Sequence, residues 1–359
     1  MNRTIDDFVG AKTILSHVDG AAGRLIIRGH DLEELAGHQS FEDATRLLWS
    51  EVVALDQTAD FSIAVELGKA RTTAFQRQAP LLRAAPKLSQ TDTMRFLLSA
   101  EPAAKSVREP LDAVAAVGVA AALSSRHCLG LPLLEPDAQA SHAADLLRLI
   151  RGDRPDRAEV DAFETYLVAA LDHGLNASTF TARVVASTQA GMQASILAAF
   201  CALTGPLHGG APGPVLDMLD AIEESGDAAK WIAEELASGR RLMGFGHRIY
   251  RVRDPRADVL KASLKRLGKI GRLERAEQIE QEAITALSIH KSGRRLDVNT
   301  EFYTALLLET LQIPRQCFTS VFAAARVAGW VAHIREEEAV GRLIRPQSQY
   351  LGKMPKRAA

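Results

Sequence analysis

Residues 321–337 read Val-Phe-Ala-Ala-Ala-Arg-Val-Ala-Gly-Trp-Val-Ala-His-Ile-Arg-Glu-Glu. The stretch is apolar and rich in alanine up to its charged end at Arg335, with Arg326 in its middle. Alanine and leucine favour helix, and β-branched residues do not dominate the chain, so the stretch reads as a core helix. An arginine on such a helix needs an anion. The bland reading is a structural ion pair with a core carboxylate. The functional one is a ligand that brings its own negative charge.

The same pattern extends outward. Apolar residues make up 47% of the 359, and aromatics only 5%, which suits a large helical core of one or two domains. Residues 302–311 continue the pattern. Residues 192–203 are so uniformly apolar that burial on all sides is expected. Ser40 and the acidic pair Glu42 and Asp43 mark a helix start ahead of Ala44, Leu47 and Leu48. Residues 162–171 form another helix, with Gly174 suited to its end. Residues 228–236, 257–267 and 273–287 are amphipathic and charged, as expected of a more exposed unit. Residues 24–27 form a short strand at most, since no period-2 run argues for a major sheet.

Composition narrows the function. Lys and Arg total 43 against 44 Asp and Glu, so neither nucleic acid nor an anionic membrane is an expected partner. The longest unbroken apolar run, 113–123, is too short to span a bilayer. Residues 1–10 carry Asp6 and Asp7 and no apolar signal region, so a cytoplasmic location is expected. Cys128, Cys201 and Cys317 are far apart and suggest neither a disulfide framework nor a metal site.

Four segments carry chemistry. Gly205-Pro206-Leu207-His208-Gly209-Gly210 sets an imidazole among glycines, where a ligand can approach closely; the bland alternative is a turn. Gly244-Phe245-Gly246-His247-Arg248-Ile249-Tyr250 leads into Arg251, Arg253 and Asp254-Pro255-Arg256, and guanidinium forks suit carboxylates or phosphates. Asp297-Val298-Asn299-Thr300-Glu301 reads as a helix start with Thr300 as cap and Glu301 in the first turn. The fourth segment is Arg326-Val327-Ala328-Gly329-Trp330, followed by Arg345-Pro346.

In this order the segments resemble the citrate synthase family, which includes the 2-methylcitrate synthases. Asp172-His173-Gly174-Leu175-Asn176-Ala177-Ser178-Thr179-Phe180 matches a further family segment. The likeness runs from about Thr13 to Gly352 and is looser between Val53 and Val160. It implies an all-α fold: a large helical domain, residues 1–210 and 313–359, and a small one, 211–312, with the active site in the cleft. It implies condensation of acetyl-CoA with oxaloacetate and hydrolysis of the thioester, or the same reaction with propionyl-CoA. His208, His247 and Glu301 are then catalytic. His173, Arg256, Arg326 and Arg345 hold oxaloacetate, Arg345 reaching across a homodimer interface. Arg251 and Arg294 meet the CoA phosphates. No metal or tightly bound cofactor is implied; the acyl-CoA is a co-substrate. The chain departs from the family at Glu301, where aspartate is usual, at Val298-Asn299-Thr300 in place of Pro-Asn-Val, and at Gln347 in place of a second arginine. A weakly active or inactive relative that senses CoA esters or dicarboxylates is the alternative of another class.

Overall fold

The computed structural model describes residues 10–56, 61–83, 85, 87–103, 106, 108–208, 212–268, 271–290 and 296–355. Its architecture is helical. The first elements are short strands β1 (Ser16–Asp19), β2 (Arg24–Ile27) and β3 (His30–Asp31), followed by the single turn α1 (Leu32–Leu35). Then come α2 (Phe41–Trp49), α3 (Ile63–Gln78), α4 (Gln90–Ser99), α5 (Glu109–Cys128), α6 (His142–Arg151), α7 (Arg157–Ala170), α8 (Ala177–Ala186) and α9 (Met192–Leu203). The remainder are α10 (Pro212–Ser225), α11 (Ala228–Ala237), α12 (Pro255–Leu267), α13 (Gly271–His290), α14 (Thr300–Thr310) and α15 (Phe318–Val340).

The helix starts are written in the chain as caps. Ser40, Ser62, Ser89, Ser141, Asp156, Asn176, Asp227, Asp254 and Asn299 each accept a hydrogen bond from a backbone N–H of the first turn. Those N–H groups have no partner within the helix, so each cap satisfies a donor that burial would otherwise penalise. Asp156 and Glu159 complete a capping box, which starts α7 at Arg157, five residues before the apolar run begins.

At the centre lies α15, buried along most of its length and packed on α5, α7, α8 and α9. By length and composition it could cross a membrane, yet it is the core helix here. Its small residues let neighbours approach. A Cβ on Gly329 would sit 2.3 Å from the carbonyl oxygen of Leu171, so only glycine admits the end of α7. Trp49 of α2 donates from Nε1 to the Ala328 carbonyl at 2.8 Å. On another side, α10, α11, α13 and α14 pack together, and α12 joins α14 to α7.

One expectation is met and extended, and one changes. Residues 24–27 are the middle strand of a three-stranded antiparallel sheet, with Ser16 opposite Ile27 and Ile26 opposite Asp31. The helix Met192–Leu203 is not covered on all sides: Ala194 and Cys201 are exposed, and Leu197, Ala198 and Ala202 half-buried. These residues recur at helical spacing and form one open apolar face.

Candidate active site

The glycine-rich loop that begins at Gly244 is stitched to the segment 297–299 that leads into α14. Gly244 and Gly246 take positive φ, 81° and 79°. The Gly246 N–H donates to the Asp297 carbonyl at 2.8 Å, and the Asn299 N–H to the Gly244 carbonyl at 2.9 Å. The Asn299 side-chain amide donates to the Gly246 carbonyl at 2.9 Å, and its oxygen accepts from the Glu301 N–H at 3.0 Å. Asn299, not Thr300, is therefore the cap of α14. The correction has a physical cause: the same amide both caps the helix and binds the opposite loop, which a threonine hydroxyl is too short to do. His247 and Glu301 are thereby fixed relative to each other.

Each histidine is held in a definite state. The His247 Nδ1 accepts from the backbone N–H groups of Ile249 and Tyr250, both at 3.1 Å, which leaves the proton on Nε2. For His208, Nε2 lies 3.3 Å from the Ser178 backbone N–H in the first turn of α8 and 2.8 Å from the Ser178 hydroxyl. An amide can only donate, so Nε2 accepts and the proton sits on Nδ1. Trp330 of α15 holds the same hydroxyl from Nε1 at 3.3 Å. Burial, with Arg326 nearby for His208 and Arg256 for His247, pushes both imidazoles down to about 4. Both rings are neutral near pH 7 and can act as hydrogen-bond donors.

Glu301 is the opposite case. Burial raises its carboxyl to about 7, with Arg256 opposing the rise and Asp254 adding to it. It is a carboxylate poised to exchange a proton near neutrality.

The cationic side of the site is deep. Arg326 is 2% exposed. It donates from Nε to the Ala170 carbonyl and lies over the Phe322 ring at 5.0 Å. Among the described residues no carboxylate forms an ion pair with it, contrary to the structural reading of this arginine. Burial lowers it to about 10; Asp172 favours its charge and Arg256 opposes it. Arg256 forks onto Asp254 at 3.0 and 2.7 Å, and Asp254 also caps α12 and accepts from the Thr300 N–H at 3.2 Å. His173 is buried beside them, its Nε2 3.2 Å from the Tyr250 hydroxyl and its ring 5.6 Å from that of His247. Burial, then Arg256 and Arg326, hold His173 well below the ordinary imidazole range.

His173, His208, His247, Arg256, Glu301 and Arg326 thus share one electrostatic neighbourhood. Other expected residues stand apart. Arg251 is exposed, and its backbone N–H donates to the Gly20 carbonyl at 2.8 Å. Arg345 is exposed in the irregular segment after α15. Arg294, Gly209 and Gly210 lie outside the described residues. Sequence reasoning assigned no role to Ser178, Asp254 or Tyr250, although all three lie in stretches it quoted; the Asn176-x-Ser178 and Asp254-Pro255 cap patterns were the available signal. A cavity of about 480 Å3 lined by Phe75, Leu82, Arg83, His127 and Leu133 lies elsewhere, between α3 and α5, and shares no residue with the cluster.

A helical core, two neutral donor histidines, a raised carboxyl and an arginine with no ion-paired carboxylate among the described residues suit an enzyme that activates a carbon acid beside an anionic partner. The family model for the C-terminal domain of citrate synthase matches residues 4–347, and the chain belongs to the citrate synthase family, acyltransferases by reaction class. It is 35% identical to putative citrate synthase 2 of Mycobacterium tuberculosis over 361 residues, 98% of this chain and 93% of that one. It is 31% identical to the 2-methylcitrate synthase of the same organism over 349 residues, 95% and 88% of the two chains. The citrate synthase of the archaeon Thermoplasma acidophilum, solved in a ternary complex with carboxymethyl coenzyme A and oxaloacetate, superposes with a TM-score of 0.81 at 26% identity, covering 99% of this chain and 96% of that one.

Proposed function

We propose that the protein condenses acetyl-CoA with oxaloacetate and hydrolyses the resulting citryl thioester to citrate and CoA. The observation that carries the reading is Arg326, a buried cation with no ion-paired carboxylate among the described residues. A charge in that position costs several kcal/mol unless an anion joins it. A dicarboxylic acid with Arg256 and His173 on its other side satisfies that need and is oriented by it.

The chemistry follows from the protonation states. Glu301, ionised, removes a proton from the methyl carbon of the thioester. Negative charge develops on the thioester oxygen, where the Nδ1–H of His208 donates. The new carbon nucleophile attacks the ketone of oxaloacetate, and the Nε2–H of His247 stabilises the oxygen that becomes the hydroxyl. Water then cleaves the thioester and releases CoA. Arg251 and Arg294 would meet the CoA phosphates, as the family likeness implies, and closure of the 211–312 domain over the large domain would exclude water during condensation.

A cytoplasmic homodimer is part of the reading. The open apolar face of α9 supports a covering partner, and the exposed Arg345 suits an arginine that completes a neighbour's site. Propionyl-CoA is the second reading, supported by the 2-methylcitrate synthase among the relatives. The two acyl groups differ by one methyl, worth about 1–3 kcal/mol in an apolar pocket.

Glu301→Gln tests the base. Turnover is expected to fall by roughly 1,000-fold while calorimetry finds oxaloacetate affinity unchanged. Turnover near the wild-type rate would remove Glu301 from the role.

A further inference from the structure

His173 lies between two residues that are tied down by one serine. Ser16, on β1, donates its hydroxyl proton to Asp172 Oδ2, and its oxygen accepts from the Gly174 N–H at 3.0 Å. A single hydroxyl thus bridges the residues before and after His173. Gly174 takes φ +56°, so the chain turns sharply there.

The other oxygen of Asp172 is held from α15. His333 Nε2 lies 3.2 Å from Asp172 Oδ1, and His333 Nδ1 lies 3.0 Å from Nη1 of Arg183. A guanidinium only donates, so Nδ1 accepts and the His333 proton must sit on Nε2, directed at Asp172. Arg183 is itself locked by Glu337 at 2.7 Å and by Glu336. Glu336 in turn accepts from the Ile14 N–H at 2.9 Å and the Thr13 hydroxyl at 3.1 Å. Asp172, His333 and Arg183 are at most 1% exposed.

We propose that Ser16, Asp172 and His333, oriented by Arg183, are positioning residues that fix the His173 imidazole for oxaloacetate. The inference deepens the proposed function and rests on its placement of oxaloacetate at His173. Burying an aspartate, a histidine and an arginine is no more stabilising than packing apolar groups of the same size. What such a network supplies is direction, because each hydrogen bond has a defined donor and angle. Here the bonds made by Ser16 and His333 converge on the residues that flank His173. It also gives the N-terminal sheet a role in the site, since Ser16 is its contribution.

The network and the acyl-CoA chemistry touch different groups, so the effects separate. Ser16→Ala is expected to raise the KM for oxaloacetate roughly tenfold, with the KM for the acyl-CoA within about twofold of wild type. His333→Leu should do the same. His333→Gln should restore a near-wild-type KM, because its amide oxygen can accept from Arg183 while its N–H donates to Asp172. His173→Ala is measured alongside. Should His173→Ala raise the oxaloacetate KM while Ser16→Ala and His333→Leu leave it unchanged, the clamp is wrong and the binding reading stands. Should His173→Ala itself leave that KM unchanged, the binding reading fails and the clamp with it. A fall in melting temperature for Ser16→Ala without any change in KM would reduce the network to a structural role. Ser16 is only half-buried, so its alanine variant keeps the test available even if His333→Leu does not fold.

Discussion

Glu301 is where chemistry and stability pull against each other. Its carboxyl titrates at about 7 in the folded chain, against a reference value of 4.5. As base it must be ionised, so kcat/KM should rise with pH through about 7 and level off above it. The histidines, already neutral above about 4, should not shape that limb. A limb centred near 4.5 would contradict the buried state of Glu301. The sign for stability is the reverse. A carboxyl raised on folding contributes stability below its unfolded value and loses it as pH climbs through 7. Glu301→Gln removes that loss, so the variant should be more stable than wild type at pH 8, by up to about 3 kcal/mol, and no more stable at pH 4. Thermal or urea unfolding at the two pH values checks this. The identity of this residue was legible from its place after Asn299. Its environment was not, because the raised carboxyl depends on burial and on Asp254 and Arg256, 45 or more positions away in the chain. The protonation of His208 was hidden for the same reason: it is set by an amide of α8.

At the scale of elements, caps and apolar periodicity located most of what mattered. Asp254 and Asn299 cap helices within the segments that carry chemistry, although the sequence reading gave the second cap to Thr300. The N-terminal sheet was only partly legible because strands of four and two residues leave no period to detect. For α9, apolar composition looked the same whether the covering surface was the chain itself or another molecule. The single glycine of α15, Gly329, could be read from the sequence as helix-compatible only, whereas the structure gives it a task. Gly329→Ala would drive a methyl into the Leu171 carbonyl and push α15 off the end of α7, where Arg326 meets Ala170. A loss of roughly 1–3 kcal/mol is expected, measured by urea unfolding, together with weaker oxaloacetate binding. A variant as stable as wild type would show that the two helices can separate without cost.

For the molecule as a whole, the proposed homodimer with shared sites would make Arg345 and Glu301 complementary in trans. Arg345→Ala and Glu301→Gln chains, each weak alone, should regain part of the activity when mixed and re-associated. Confirmed mixed dimers without any rescue would place Arg345 in its own chain's site or outside both. The overall architecture and reaction class followed from the order of the motifs along the chain, since each motif alone had an ordinary structural explanation. What the order could not convey is how the parts are held: the glycine-rich loop stitched to the segment before α14, the α8 amide at His208, and the polar seam beneath His173. The most direct test of the central claim is release of free thiol by the purified protein supplied with oxaloacetate and either acetyl-CoA or propionyl-CoA. Oxaloacetate-dependent release with the higher kcat/KM for acetyl-CoA is the expected result. Folded protein that binds oxaloacetate but releases no thiol from either ester would contradict it.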